Sequence, residues 1–202
     1  MIPTRAAAAG HFPRRRRIGS PSAMPKPSRP PDAHLDPPPR EHSPESLPAW
    51  EMRPIGVVRS PYRYVHDAPR QGGLGRAGDA RIVLRRGLQN CVKDLRGFEW
   101  VWVVFVFSYS RGWRQQVVPP RDTVKRGVLA TRSPHRPNPV GLTAARLVDV
   151  RGLTITVTEH DLLDGTPVLD VKPYLPYCDA HPEARAGWTE SLPAEGSDHR
   201  WA

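Results

Sequence analysis

Apolar and polar positions alternate over short stretches from Ile55 onward, and Gly, Pro and Asp separate the stretches. Period-two runs bounded by turn residues predict β-strands. They fall near Ile55–Arg59, Ala80–Leu84, Val101–Ser108, Gly127–Ala130, Leu142–Val150, Thr154–Glu159 and Val168–Tyr174. One stretch has a helical period instead: Leu88, Cys91, Val92 and Leu95 stand at i, i+3, i+4 and i+7, which predicts a short helix over Leu88–Leu95. Short strands with a single helix predict an all-β fold, a small barrel or a sandwich, rather than alternating βαβ units. The run Trp100–Phe107 is apolar on both faces. It is the expected central strand, covered on one side by the core and on the other by a helix or a second subunit.

Composition divides the chain. Twelve of the 25 prolines fall in the first 50 residues, together with Arg14–Arg17 and the run Pro37-Pro38-Pro39-Arg40. Such a segment has too few large apolar side chains to offset the entropy of ordering it, so residues 1–50 are expected to be a disordered, Pro/Arg-rich tail with polyproline-II character. An inert tail, a targeting segment and a nucleic-acid arm are its three readings, and Met24 and Met52 are alternative starts. A β-barrel domain is expected over 51–178, followed by an extension over 179–202.

Charge points to the partner. The net charge is +10, of which +6 remains once the first 50 residues are set aside, and a basic body suits a polyanion, most often nucleic acid. Cys91 and Cys178 have no CxxC spacing and no histidine at zinc spacing, so they are expected to be buried small hydrophobes in a reducing compartment, with no metal site. No apolar run reaches membrane-spanning length, so a soluble chain is expected.

Three motifs carry candidate chemistry. Gly73-Leu74-Gly75-Arg76-Ala77-Gly78 has dinucleotide-fingerprint spacing, but Asp67–Gln71 precedes it and a strand follows, where the fingerprint needs a buried strand and then a helix. A mobile glycine-rich loop is the better reading. The stretch Ala130–Leu142 combines three prolines, which stiffen the chain, with Arg132, His135, Arg136 and Asn138 as donors for a carboxylate, phosphate or base edge. It reads as a site loop ahead of a structural turn or a PxxP peptide ligand. Asp164-Gly165 between two strand patterns is a hairpin signal, and Asp161, Asp164 and Asp170 make an acidic cluster suited to a cationic ligand group.

The segments Ile55–Tyr62, Pro69–Gln71, Gly97–Trp102, Val118–Arg121, Thr131–Leu142 and Asp164–Tyr174 resemble, in order and spacing, the TsaA-like (TrmO) tRNA methyltransferases. The resemblance spans about 54–178. It implies a homodimeric, cytoplasmic β-barrel enzyme using S-adenosylmethionine. Its reaction would be methylation of N6 of threonylcarbamoyl-modified adenosine, at position 37 beside the anticodon of threonine tRNA. Cofactor contacts carried over are Pro69, Arg70, Gln71, Phe107, Ser108, Arg132, Leu142, Leu163, Asp164, Gly165 and Thr166. Family members commonly have histidine where this chain has Ser108, so no proton-handling role carries over there.

Basic residues beside these segments, Arg111, Arg114, Lys125, Arg126 and Arg136, are the expected RNA contacts. The group that takes the N6 proton is open between Asp161, His135 and solvent. Other readings are a non-catalytic RNA-binding barrel and a methyltransferase of the same fold acting on another substrate.

Overall fold

The computed structural model describes residues 43–74 and 78–192. Two units divide the chain, Met1–Ala49 and Trp50–Ala202. The first contributes one described element, an exposed 3-10 turn at Pro44–Ser46. The tail expectation for residues 1–42 and part of the glycine-rich loop, residues 75–77, lie outside the described residues.

Among the described residues the second unit carries eight strands: β1 (Gly56–Arg59), β2 (Ala80–Leu84), β3 (Trp100–Val106), β4 (Gln116–Val117), β5 (Arg126–Gly127), β6 (Val140–Arg151), β7 (Thr154–Thr158) and β8 (Pro167–Pro173). Six of them close into a barrel in the order β1-β2-β7-β6-β3-β8, every pairing antiparallel, while β4 and β5 form a separate ribbon. The small-barrel reading is therefore correct. Alternation explains it: Ala80, Ile82 and Leu84 of β2, Val101, Val103 and Phe105 of β3, and Ile155 and Val157 of β7 all point inward and are buried. Closure leaves no strand of this sheet as an edge strand.

β3 lies between β6 and β8, as its composition predicted. Its outward residues Trp100, Trp102, Val104 and Val106 are half-buried. Part of their cover is local, because Trp102 packs at a tilt against Tyr174, with centroids 5.3 Å apart, and donates its indole N–H to Asp179 at 2.9 Å. Asp179 ends α1 (Pro176–Asp179), a single helical turn just after β8.

Four expectations need correction. Leu88–Leu95 is not one helix: 3-10 turns occupy Gln89–Val92 and Leu95–Gly97, and Asp94 between them has φ 65°, which a continuous α-helix excludes. The segment Gly127–Ala130 is not a strand beyond Gly127, because Val128–Ala130 turns as a 3-10 helix, with only Val128 buried. Cys91 and Cys178 are exposed, not buried: Cys91 shares a short surface turn in which Val92 is the residue packed against the core, and Cys178 lies in a single helical turn with no buried residue. Asp164-Gly165 does turn the chain, with φ +75° at Gly165, but it joins no hairpin: β7 and β8 are not neighbours, and the connection crosses an end of the barrel. Among the described residues no helix is long and apolar enough to span a membrane, and no cluster of His, Cys, Asp and Glu could hold a metal.

Candidate active site

Strand direction determines what meets at the barrel's end. The exits of β1, β3 and β7 and the entries of β2, β6 and β8 lie together there, because all neighbouring strands run antiparallel. Segments far apart in sequence therefore converge: 59–63, 69–74, 107–110, 132–142 and 159–166.

A seam in the wall seats the first cluster. β6 pairs with β3 through Val140–Arg146 and with β7 only from Arg146 onward, leaving one side of its first half without β7. The turn after Gln71 fills this place. A Cβ at Gly72 would lie 2.8 Å from Glu159 O and Thr143 Oγ1 and 2.9 Å from Ala144 O, so only glycine fits. Gly73 then donates its N–H to Glu159 O at 3.0 Å. Glu159 itself has φ 54°, a left-handed conformation that costs a non-glycine residue about 1 kcal/mol.

On this seat the Arg132 guanidinium donates to Gln71 Oε1, tying the Ala130–Leu142 loop to Pro69-Arg70-Gln71. Asp161 lies beside them. Burial pushes its carboxyl above the usual carboxylate range, and the Thr143 hydroxyl and the Arg132 charge offset only part of that. Its Oδ1 is buried without a hydrogen-bond partner. Such an orphaned acceptor is uncommon and calls for a group to satisfy it.

The second cluster is the turn 163–166. Asp164 Oδ1 accepts the Ser60 N–H at 3.0 Å, and the Asp164 N–H donates to Tyr62 O at 2.7 Å. Gly165 and Val58 are joined by the Gly165 N–H to Val58 O bond at 2.9 Å, while the Val58 N–H donates to Thr166 O at 2.9 Å. Tyr109 Oη donates to Asp164 O at 2.8 Å and so fastens the exit of β3 to the same turn. Thr166 is buried, and the Leu163 carbonyl accepts its N–H at 3.3 Å.

Apolar residues complete this end. Phe105 and Phe107 meet edge to face at 5.1 Å, and Phe105 lies so close over Gly141 that a Cβ there would sit 2.4 Å from two ring carbons. Leu142 is 56% exposed, and Ser108 faces solvent. Next to them the His135 ring nitrogen meets Ser110 Oγ at 2.9 Å.

The remaining basic residues divide. Arg111, Arg114 and Lys125 are exposed. Arg126 pairs with Asp122 at 2.8 Å and lies 5.1 Å over the Trp188 ring, and Arg136 donates to Thr131 O at 2.9 Å and Ser133 O at 3.3 Å. Thr143, Tyr109, Ser60 and Gly72 were not expected at the site. Gly72 acts by steric fit, Ser60 and Tyr109 by bonds to the Asp164 turn and Thr143 by its hydroxyl on Asp161, none of which a side-chain spacing reveals.

His160 is a further residue that no spacing flagged. It is 1% exposed, accepts the Leu162 N–H on Nδ1 at 3.1 Å, and packs against the Tyr62 ring at 5.1 Å. Burial lowers its pKa, which the Gly78 carbonyl and Asp79 oppose in part.

The arrangement is that of a ligand site at a barrel mouth: an apolar floor, backbone carbonyls in a tight turn, one arginine and one unsatisfied carboxyl. Several known proteins are similar to the chain that builds it. The tRNA-methyltransferase O N-terminal domain family matches residues 57–180. The Escherichia coli (strain K12) tRNA (adenine(37)-N6)-methyltransferase is 38% identical over 156 residues, covering 72% of this chain and 66% of that enzyme. A probable S-adenosyl-L-methionine-binding protein of Pyrococcus abyssi is 35% identical, with 68% of this chain and 75% of that protein covered. The crystal structure of TrmO from Pseudomonas aeruginosa superposes with a TM-score of 0.61 at 34% identity, covering 73% of this chain and 64% of that one. This chain thus spans about two-thirds of the enzymes it resembles, and with motifs and barrel in agreement, it belongs to the TrmO (TsaA) family.

Proposed function

We propose that this chain is an S-adenosylmethionine-dependent methyltransferase acting on N6 of adenine 37 in tRNA. The finer reading is threonylcarbamoyl-modified adenosine in threonine tRNA, and the resemblance of the Thr131–Leu142 and Asp164–Tyr174 segments supports it. One observation carries most weight: Arg132, bonded to Gln71, acts electrostatically on Asp161, whose buried carboxylate oxygen Oδ1 has no partner. A cationic ligand group is what such an oxygen lacks, and S-adenosylmethionine carries an ammonium and a sulfonium, so the residues present fit the cofactor.

Bound there, the cofactor supplies a methyl group activated by its positive sulfur. The chain's own part is positioning. Arg132 and Gln71 fix one side of the site, and the Asp164–Thr166 turn, clamped by Ser60, Val58 and Tyr109, frames the other. Leu142 and Phe107 offer apolar surface for a flat ring. Methyl transfer needs in-line approach of the nitrogen, so a site held this rigidly contributes through orientation. Arg111, Arg114, Lys125, Arg126 and Arg136 remain the proposed RNA contacts. The last two would keep their present bonds or exchange them for phosphate.

The half-exposed outer face of β3, with Val148 exposed on neighbouring β6, supports a homodimer. Sedimentation at micromolar concentration should show twice the chain mass. Calorimetry tests the cofactor: wild type should bind S-adenosylmethionine, and Arg132→Ala should weaken it about tenfold or more, the loss of one charge-assisted hydrogen bond. Binding without methyl transfer to tRNA nucleosides, read by mass spectrometry, would favour the RNA-binding or other-substrate reading, and no binding would overturn the proposal.

A further inference from the structure

Arg59 on β1 and Arg81 on β2 are directly opposed in the antiparallel register, and both side chains are on the barrel's outer face. Like charges placed opposite one another across a strand pair repel. Several other arginines of this unit are paired with acids: Arg96 and Arg151 with Asp149, Arg126 with Asp122, Arg146 with Glu99. Arg59, Arg81 and Arg63 form no ion pair among the described residues. All three line one open cleft of about 550 Å³, together with Ser60, Asp79 and Asp164. Of the two acids, Asp164 holds the Ser60 N–H with Oδ1, so one of its oxygens is already engaged within the fold.

A cross-strand arginine pair with a third arginine beside it, against two acids in the same cleft, has the excess positive charge and the donors to attract an anion. Its position gives the anion's identity. The cleft shares Asp164 and Ser60 with the turn that forms one side of the barrel-mouth site, so whatever is bound here extends from there. Guanidinium forks match phosphate geometry, and spaced arginines match a phosphodiester chain. We infer that Arg59, Arg63 and Arg81 hold backbone phosphates of the tRNA as it runs from the barrel mouth onto the β1–β2 face. This rests on the tRNA reading above and adds a track that does not include Arg111, Arg114 or Lys125.

The test is tRNA affinity against salt for the full chain with an unfractionated tRNA preparation, alongside calorimetry with S-adenosylmethionine. Arg59→Gln/Arg63→Gln/Arg81→Gln should flatten the slope of log affinity against log salt by about two units, at roughly 0.7 to 0.9 for each phosphate no longer neutralised. Cofactor affinity should be unchanged. The unfolding midpoint at low salt should hold or rise, since the repulsion is relieved, and Arg59→Lys/Arg81→Lys should keep most of the slope. An unchanged slope in the triple variant, with wild type binding steeply, overturns this inference and leaves the tRNA reading standing. Wild type without salt-dependent tRNA binding overturns both. Loss of cofactor affinity with the arginines would place them in support of the Asp164 turn and overturn the phosphate track.

Discussion

At the barrel end that holds the site, three polar side chains are buried, Thr143, His160 and Thr166, and the neighbouring residues His160 and Asp161 each leave one polar atom without a partner. Toward the opposite end the connections are held by exposed charge pairs, Arg96 with Asp149 at 3.0 Å and Arg146 with Glu99 at 3.1 Å. Exposed pairs contribute little and are readily replaced. Buried polar groups cost stability unless they are satisfied, and the cost is largest where the low dielectric later strengthens a ligand's interactions. The contrast teaches where this barrel has been shaped for tolerance and where for recognition.

Glycine substitution should break the symmetry between the ends most sharply. In Gly141→Ala the new methyl falls 2.4 Å from the Phe105 ring, so the ring or β3 must shift, an overpacking cost of about 1–3 kcal/mol. Gly97→Ala, toward the other end, meets nothing within 4 Å and should be near neutral. Urea unfolding of the two variants checks this, and equal losses would erase the contrast.

A smaller effect is expected at Asp161. Its carboxyl is raised in the fold, so the folded state holds that proton more tightly than the unfolded chain does. Ionisation therefore destabilises the fold as pH climbs from the ordinary carboxylate value through the raised one. Asp161→Asn should raise the stability at pH 7.5 by roughly 1 kcal/mol, a gain that fades in acid, while weakening S-adenosylmethionine binding. Stability and affinity moving the same way would remove Asp161 from the binding site.

His160 gives the smallest signal. Its folded pKa is lowered, so as pH falls below about 6.5 the unfolded chain takes up the proton first and the fold loses stability. His160→Asn can still accept the Leu162 N–H, and should flatten that acid limb by under about 1 kcal/mol. Thermal midpoints from pH 7.5 to 5 would show it, and an unaltered limb would assign the loss to other groups.

Strands β1, β2, β6, β7 and β8 were legible in the residues alone because alternating burial writes itself into alternating hydrophobicity, and β3 was legible as a short run apolar on both faces. Leu88–Leu95 misled because a 3.6 period over eight residues says nothing of a left-handed Asp94 near its end. Arg132, Gln71 and Asp164 were legible as motif residues. The partnership of Arg132 with Gln71 was not, since it depends on the 61-residue separation being closed by the barrel. The Arg59–Arg81 pairing was equally hidden: each is an ordinary outward strand residue until the register sets them face to face.

Barrel closure also sets the order in which the candidate site is assembled during synthesis. The last seam joins Gly56 to Val168, residues about a hundred positions apart, so the loop-closure entropy falls on the final step and the seam cannot form until β8 has left the ribosome. The Asp164 turn is bonded to Val58 across that same seam. A nascent chain therefore lacks the Asp164 side of the candidate site until β8 emerges, and that side and the wall are completed together.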